Sequence, residues 1–384
     1  MAAKNSFTFF TSQMSLIITL TSVLLSSSLS SSTTPSPNFK KIYAFGDSYT
    51  DTGNTKTSTG PTAFNYVSNP PYGVTYFHHP TNRYSDGRIV IDFVAEALSL
   101  PFLPPYRNPK ANQSQAGVNF AVGGATAIRH GFFLKNNVTF NLVPQSLQTQ
   151  LVWFNKIMKS KGCNDLKNTP GKCKAVLGDA LIWLGEVGAN DYTCSLGSSL
   201  SRKTIQALAI NSVIGFLQAL LNKGAKYIVV QGLPVTGCST YSFALSSPED
   251  RDEMGCVASM NQLTSTHNAA LQAKLIDLRK QFPKAIIVYA DYYNAHLTIL
   301  KNARKYGFKE QYKACCGYGG GAYNFDVFNT CGSPSSSSCA NPSEYINWDG
   351  AHFTEAVYKV MANSFLNGTY CSPPFQHLLR KKLQ

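Results

Sequence analysis

The segment 43–54 reads YAFGDSYTDTGN and places Ser48 where an apolar run meets a polar turn. Two interpretations of Ser48 are open from this segment alone. A serine after a strand can cap a following helix by accepting hydrogen bonds from the free N–H groups of its first turn. The same hydroxyl can be a nucleophile, which requires a base that removes its proton and a partner that orients the base. The rest of the chain must supply that base.

Among the seven histidines, only His352 has an aspartate three residues before it, Asp349. Residues three apart on one helical turn lie on the same face. This spacing lets Asp349 accept from the ring nitrogen of His352 that faces away from the serine. The alternative is a solvated histidine ahead of the amphipathic run 354–366. The pattern predicts Ser48 as nucleophile, His352 as base and Asp349 as the orienting acid.

An acyl-transfer site also needs hydrogen-bond donors for the oxyanion that develops on the substrate. The backbone N–H groups of Ser48 and Gly124 suit this role, because glycine lets the chain approach a substrate closely; Gly123 is the alternative to Gly124. The side-chain amide of Asn190 is a third donor, and its alternative role is turn formation. No G-x-S-x-G segment occurs, which argues against a hydrolase of the nucleophile-elbow type.

Apolar runs that do not alternate with polar residues predict strands covered on both faces. They lie at 41–45, 117–122, 180–185, 226–231 and 285–290, with predicted helices at 88–98, 204–222, 257–282 and 354–366. This alternation predicts a parallel α/β sheet of about five strands. Functional groups gather beyond the carboxyl ends of such strands. Ser48, Gly124 and Asn190 each follow a predicted strand, so we expect them to meet at one edge.

Residues 1–33 are interpreted as a signal peptide and Ser-rich region, because Lys4 precedes a short apolar run. Thr19, Thr21 and Ser22 interrupt this run, which leaves it shorter than the roughly 18 apolar residues of a membrane span. No stable membrane anchor is therefore expected. The folded domain is expected over 38–371, followed by a basic C-terminal tail at 372–384.

The ten cysteines include no Cys-x-x-Cys pair and no mixed Cys–His cluster, so neither a metal nor a cofactor is expected. Behind a signal peptide all ten are interpreted as disulfide partners. Cys163 with Cys173 and Cys238 with Cys256 would close local loops, and adjacent Cys315 and Cys316 are expected to reach different partners. Sequence leaves the connectivity open. Region 306–347 is expected to be irregular and tied by disulfides.

Three sequons, at Asn112, Asn137 and Asn367, are typical of a glycosylated secretory protein. We expect a location outside the cell, in the cell wall or in the vacuole. The net charge of +14 raises the question of a nucleic-acid partner. The lysines are scattered and no nucleic-acid-binding signature accompanies them, so none is expected. Contact with acidic wall polysaccharide, contact with acidic small molecules and plain solvation each account for the charge, and plain solvation is favoured.

These segments resemble, in order, the blocks of the plant GDSL esterase/lipase family, a branch of the SGNH hydrolase superfamily. They are FGDS at 45–48 with DTGN at 51–54, NFAVGGA at 119–125, GAND at 188–191 and DGAH at 349–352. RYSDGR at 83–88 and YINWDG at 345–350 resemble the plant branch in particular. The resemblance spans about residues 40 to 370 and implies a three-layer α/β/α flavodoxin-like fold. Tyr49 departs from the name-giving leucine and Ala189 from a frequent glycine, where altered packing is expected.

By this resemblance Ser48 is the nucleophile, His352 the base and Asp349 its partner, with Ser48 N–H, Gly124 N–H and Asn190 as the oxyanion hole. The expected function is a monomeric, secreted serine esterase acting on small-molecule esters or acylated wall or specialised metabolites. The alternative is an acyltransferase that passes the same acyl group to an alcohol. A non-catalytic wall- or glycan-binding protein is a third hypothesis, which the complete residue set disfavours.

Overall fold

The computed structural model describes residues 39–56, 59–140 and 142–382. In this part of the chain, one six-stranded sheet has the spatial order β2 (Gly117–Asn119), β1 (Lys41–Phe45), β3 (Ala180–Leu184), β4 (Tyr227–Gln231), β5 (Ile286–Ala290) and β8 (Cys371–Ser372). The first five strands pair in parallel, as predicted. The short β8 adds an antiparallel edge to β5, which the sequence pattern did not predict. β6 (Cys316–Gly317) and β7 (Ser337–Ser338) form a separate antiparallel pair.

The helices of the described residues include the four that were predicted, which correspond to α1, α6, α8 and α10. They are α1 (Val90–Ala97), α2 (His130–Lys135), α3 (Leu147–Ser160), α4 (Pro170–Leu177), α5 (Ala189–Cys194), α6 (Arg202–Asn222), α7 (Thr240–Leu245), α8 (Ala258–Gln281), α9 (Tyr292–Lys301), α10 (Glu355–Leu366) and α11 (Gln376–Lys382). α6 begins where Ser201 Oγ accepts from Thr204 N and ends before Gly224, whose φ of +107° stops the helix.

Successive strand residues enter two different cores, one on each face of the sheet. Tyr43, Ile182 and Ile228 pack with α3, α4, α6 and α8, whereas Ile42, Leu181 and Val229 pack with α1, α9, α10 and α11. Side chains alternate across a strand, and both faces are covered, so nearly every strand position is apolar. The three-layer α/β/α prediction is confirmed.

By length and composition α6 could span a membrane, but its position in the fold explains its apolar character. Ile205, Val213, Leu217 and Leu220 of α6 are buried in the core against the sheet. A helix that packs on a sheet presents a stripe of apolar residues to it. Core packing therefore accounts for the composition of α6.

The chain beyond residue 371 does not form a separate tail as far as the structure describes it. Ser372 pairs with Tyr289 in the sheet, and Phe375 and Leu378 are buried in the core shared with α1 and α10. The boundary predicted at 371 is therefore too early. The predicted signal peptide at 1–33 lies outside the described residues.

Eight of the ten cysteines form disulfides in the structure: Cys163–Cys173, Cys238–Cys256, Cys315–Cys339 and Cys316–Cys331. The expectation that all ten are bonded is wrong, because Cys194 and Cys371 are free and buried. Cys194 belongs to the core on one face of the sheet and Cys371 to the core on the other, so the sheet separates them. The sequon asparagines 112, 137 and 367 are exposed, and their glycosylation stays a prediction.

Candidate active site

Ser48 lies in the turn that follows β1, at the carboxyl edge of the sheet. Gly46 makes this turn possible with a φ of +138°, and a Cβ there would lie 3.0 Å from the carbonyl oxygen of Glu186. Gln150 of α3 fixes the turn, since its amide bonds both the N–H and the C=O of Gly46. Ser48 is 6% exposed, and its Oγ lies 2.7 Å from His352 Nε2. Its hydroxyl therefore faces a base rather than the N–H groups of a helix.

Asp349 and His352 lie in a turn before α10 and not on a helical turn as the spacing predicted. Gly350 adopts a φ of +101°, and Trp348 N–H donates to the His352 carbonyl at 2.7 Å, which closes the turn. His352 Nδ1 lies 2.9 and 2.8 Å from the two oxygens of Asp349. A tight turn thus achieves the proximity that was expected from a helix.

The carboxylate of Asp349 is fully buried and held by several donors. Tyr72 Oη donates to Asp349 Oδ2 at 2.8 Å, and the backbone N–H of His352 donates to Oδ1 at 2.9 Å. Burial acts to raise the pKa of Asp349, but the neighbouring imidazole and these hydrogen bonds outweigh it and hold the pKa below its ordinary value. Asp349 therefore remains ionised and can stabilise a protonated His352.

Three aromatic rings surround the imidazole of His352. The ring centroids of Tyr84, Tyr49 and Phe64 lie 4.6, 5.2 and 5.4 Å from it. Tyr49 also donates to the Ala351 carbonyl at 2.5 Å, so this departure from the leucine pattern supports the turn that carries His352. Sequence reasoning did not place Tyr72, Tyr84 or Phe64 here. Tyr84 falls in the 83–88 segment singled out above, whereas no local signal marks the other two.

Two of the three predicted oxyanion donors have free N–H groups. Within the residues that the structure describes, neither Ser48 N–H nor Gly124 N–H donates to a protein acceptor, and both residues line the same cavity. Gly124 reaches this position with a φ of +80°. Gly123 N–H instead donates to Asp51 Oδ2 and Thr55 Oγ1. Of the two glycines, Gly124 is therefore the one available to an oxyanion.

Asn190 also lines the cavity, but its amide is occupied. Nδ2 donates to Asp47 Oδ2 at 2.8 Å and to the Ala125 carbonyl at 3.2 Å. A substrate oxyanion would have to replace or share the longer of these two bonds. The predicted role of Asn190 therefore depends on Asp47, to which the sequence pattern assigned no role.

Asp51 and Asn54 tie the segment 45–54 to the segment 119–125. Asp51 accepts from the N–H groups of Asn54 and Gly123, and Asn54 Nδ2 donates to the Ala121 carbonyl at 2.8 Å. These bonds fix the loop of Ser48 relative to the loop of Gly124. Ser48 and the N–H group of Gly124 are thereby held as one unit.

The cavity above Ser48 has a volume of about 170 Å³. One wall is apolar and formed by Leu196, Leu233, Leu245, Met260 and Leu263. A second cavity of about 180 Å³ adjoins the first and shares with it Tyr192, Thr193, Leu196, Arg202, Met260 and Leu263. Among the described residues, no group of three His, Cys, Asp or Glu side chains is placed to hold a metal ion.

The fold is a mostly parallel sheet between two layers of helices, and a hydrogen-bonded Ser–His–Asp chain lies at the carboxyl edge of the sheet. This is the geometry of a serine hydrolase. Residues 42–365 match the family model described as GDSL-like lipase/acylhydrolase. The chain is 51% identical over 371 residues to GDSL esterase/lipase At3g48460 of Arabidopsis thaliana, covering 94% of this chain and 95% of that one. It is 41% identical over 369 residues to GDSL esterase/lipase At1g28600 of the same plant, covering 94% and 92%.

The chain therefore belongs to the GDSL lipase/acylhydrolase family, and it is a carboxylic ester hydrolase. The resemblance stated from the sequence blocks is confirmed. Its four disulfides and its plant relatives are consistent with a protein of the secretory pathway.

Proposed function

We propose that the protein is a secreted serine esterase that hydrolyses esters of small molecules or of acylated wall or specialised metabolites through an acyl-enzyme on Ser48. The observation that carries this proposal is the 2.7 Å hydrogen bond between Ser48 Oγ and His352 Nε2. At this distance the imidazole can accept the serine proton as the hydroxyl attacks. Membership of the family supports ester chemistry and leaves the substrate open.

The cycle begins when Ser48 Oγ attacks the ester carbonyl and His352 Nε2 accepts the proton. The negative charge on the substrate oxygen is stabilised by the N–H groups of Ser48 and Gly124, with Asn190 as third donor. Collapse expels the alcohol, which takes the proton from His352 and leaves an acyl-enzyme. A water molecule deprotonated by His352 then attacks the acyl carbonyl. The bond between the acyl carbon and Ser48 Oγ breaks, Ser48 Oγ takes the proton back from His352, and the acid is released.

The apolar wall supports an ester whose acyl group is a hydrocarbon or an aromatic ring. Leu233, Met260 and Leu263 line the cavity that also contains Ser48, so burying apolar substrate surface there is favourable. The protein is proposed to act as a monomer in the cell wall or the vacuole. Contact between its basic surface and acidic wall polysaccharide remains part of the proposal.

The first test compares p-nitrophenol release from p-nitrophenyl acetate by the wild-type protein and two variants. Ser48→Ala is expected to lower kcat by about 10⁴–10⁶, because the nucleophile of a Ser–His–Asp unit is lost. Ser265→Ala is the matched control, since Ser265 is exposed on α8, and it should retain the wild-type rate. Equal rates for Ser48→Ala and the wild type would contradict the proposal.

The fate of the acyl group separates the esterase from the acyltransferase. The substrate is an ester with a hydrocarbon or aromatic acyl group, and an alcohol is added to the reaction. We expect the free acid to be the main product. A new ester as the main product would keep Ser48 as the nucleophile and change the second half-reaction. Product analysis by mass spectrometry distinguishes the two outcomes.

A further inference from the structure

Two carboxyl groups that the proposed mechanism does not use lie directly behind the nucleophile. Asp47 precedes Ser48, and Glu186 follows β3 in the loop that leads to Asn190. Asp47 is 1% and Glu186 0% exposed. The backbone joins them, since Asp47 N–H donates to the Glu186 carbonyl at 3.1 Å. Their side chains are also within hydrogen-bond reach of each other.

Each of these carboxyl groups holds part of the predicted oxyanion site. Asp47 Oδ2 accepts from the Asn190 amide at 2.8 Å, and Asp47 Oδ1 accepts from Tyr49 N–H at 3.1 Å. Glu186 Oε1 accepts from Ala189 N–H at 3.1 Å, at the start of α5. The pair therefore connects the turn of Ser48 to the loop of Asn190.

One oxygen of this pair cannot be satisfied if both groups are ionised. Glu186 Oε2 is buried and has no N–H or O–H partner among the described residues. A buried charged oxygen without a donor is strongly unfavourable. Two adjacent buried carboxylates would also repel each other, and such pairs hold one proton between them. A shared proton supplies the missing donor and removes the repulsion.

We propose that Asp47 and Glu186 share one proton and that this carboxyl pair is a positioning unit, which holds the Asn190 amide at the oxyanion site. The inference rests on the proposed esterase function for its kinetic consequence, and the pair itself can be observed without activity. The proton neither reaches the substrate nor leaves the pair during turnover. Asp47 and Glu186 are positioning residues and not catalytic ones.

The surroundings favour a protonated pair. Burial, followed by the charge of Glu186, raises the pKa of Asp47 well above its ordinary value, and burial also raises the pKa of Glu186. Six other titratable groups act on the pair from neighbouring elements: Asp191 of α5, His352, Tyr49, Tyr84, Tyr292 and Tyr358. Burial raises the pKa of each of these tyrosines, so they remain neutral while the pair titrates.

The proposal predicts an alkaline decline of kcat. When the shared proton is lost, two adjacent carboxylates repel each other, and the anchor of Asn190 is disturbed. Above a single essential ionisation, log kcat falls by about one unit for each pH unit. The decrease in kcat should level off at about 10²–10³, which is the loss that follows removal of an oxyanion donor.

The test uses two substitutions at one position. In Glu186→Gln the new amide N–H donates to the Asp47 carboxylate and cannot ionise, so the alkaline decline of kcat is expected to disappear. In Glu186→Ala the bridge is lost, and kcat is expected to fall about tenfold or more at every pH with little change in KM. Glu253→Gln, at an exposed position, is the matched control and should keep the wild-type profile.

Infrared spectroscopy gives a readout that is independent of turnover. The difference spectrum between wild type and Glu186→Gln, recorded above the pKa of about 7 of Asp191, should show the loss of one protonated-carboxyl C=O band. An unchanged band and an unchanged alkaline decline in Glu186→Gln would overturn the proposal. If Ser48→Ala is inactive while Glu186→Gln behaves as the wild type, the positioning role fails and the esterase function stands. If the wild type shows no esterase activity, the infrared band still tests the shared proton.

Discussion

At the level of single residues, the carboxylate of Asp349 shows how the imidazole of His352 is oriented. The pair of Asp349 oxygens accepts from the ring and the backbone of His352, and Tyr72 satisfies Oδ2 from a distant part of the chain. Tyr72 is 1% exposed. A buried hydroxyl that donates to a buried carboxylate both fixes its rotation and offsets part of its desolvation.

The variant Tyr72→Phe removes this one donor and keeps the ring. We expect kcat to fall about tenfold, because a less fixed Asp349 orients His352 less well, and KM to change little. The free energy of unfolding should fall by about 1.5–3 kcal/mol, as for the loss of a hydrogen bond to a charged group. Steady-state kinetics and urea unfolding measure the two effects.

Tyr306→Phe is the matched control for Tyr72→Phe, because Tyr306 is 38% exposed and solvent replaces its hydroxyl contacts. Both measurements should equal those of the wild type. A wild-type kcat in Tyr72→Phe together with a loss of stability would mean that Tyr72 only packs against the site.

At the scale of elements, two disulfides support the turn that carries Asp349 and His352. Cys315 N–H donates to the Asn347 carbonyl at 3.0 Å and Cys316 N–H to the Trp348 carbonyl at 2.7 Å. Cys315 and Cys316 are themselves bonded to Cys339 and Cys331. Region 306–347, which contains the short strand pair β6 and β7, is therefore cross-linked at the point where it contacts the residues just before Asp349.

Removing the Cys316–Cys331 bond, with alanine at both positions, should affect stability and catalysis together. The bond closes a loop with a sequence separation of 15, for which the free energy of unfolding should fall by about 3 kcal/mol. We also expect kcat to fall severalfold, since the backbone that precedes Asp349 loses its support. Chemical denaturation and the p-nitrophenyl acetate assay give the two values.

The Cys163–Cys173 bond provides the control for this prediction. It links the segment that follows α3 to α4 with a sequence separation of 10, away from the carboxyl edge of the sheet. Its removal should lower stability and leave kcat at the wild-type value. Equal losses of kcat in the two double variants would show that catalysis responds to global stability and not to the turn.

At the scale of the whole molecule, buried titratable groups govern how stability changes with pH. His296 and His267 are buried, and desolvation lowers their pKa values to about 3 and about 4. In the unfolded chain a histidine binds its proton near pH 6.5. The free energy of unfolding therefore decreases as the pH falls from 6.5 towards 3 or 4, because the unfolded chain binds protons that the buried histidines do not. Asp191 acts in the opposite direction, because its pKa is raised to about 7 and its burial becomes less costly as pH falls.

The substitution His296→Gln isolates one of these contributions. Between about pH 6 and pH 4, the slope of the free energy of unfolding against pH should decrease by up to about 1.4 kcal/mol per pH unit, the value for one proton. The slope is informative even if the variant is less stable overall. Urea unfolding at a series of pH values measures it.

His377→Gln is the control for the pH series, because His377 is exposed and is solvated in both states. Its slope should equal that of the wild type. A wild-type slope in His296→Gln would mean that His296 is already protonated in the folded protein.

Local patterns in the sequence predicted the fold class and placed most of the candidate site residues at one edge of the sheet. The apolar runs predicted the five parallel strands, because strands covered on both faces leave little choice of residue. The residues around Ser48, Gly124 and Asn190 follow those strands, and the sheet topology alone predicts that they meet at its carboxyl edge. The positions of Ser48 and Gly124 at this edge could therefore be predicted from the sequence.

Contacts between distant parts of the chain could not be predicted from local sequence patterns. Ser48 and His352 are 304 positions apart, the sheet separates Cys194 from Cys371, and a turn rather than a helix brings Asp349 to His352. The residues next to Tyr72 and Glu186 in the sequence do not indicate their contacts with Asp349 and Asp47. Sequence patterns report the preferences of neighbouring residues, whereas these contacts exist only after the strands have closed into one sheet and fixed the distances between their loops.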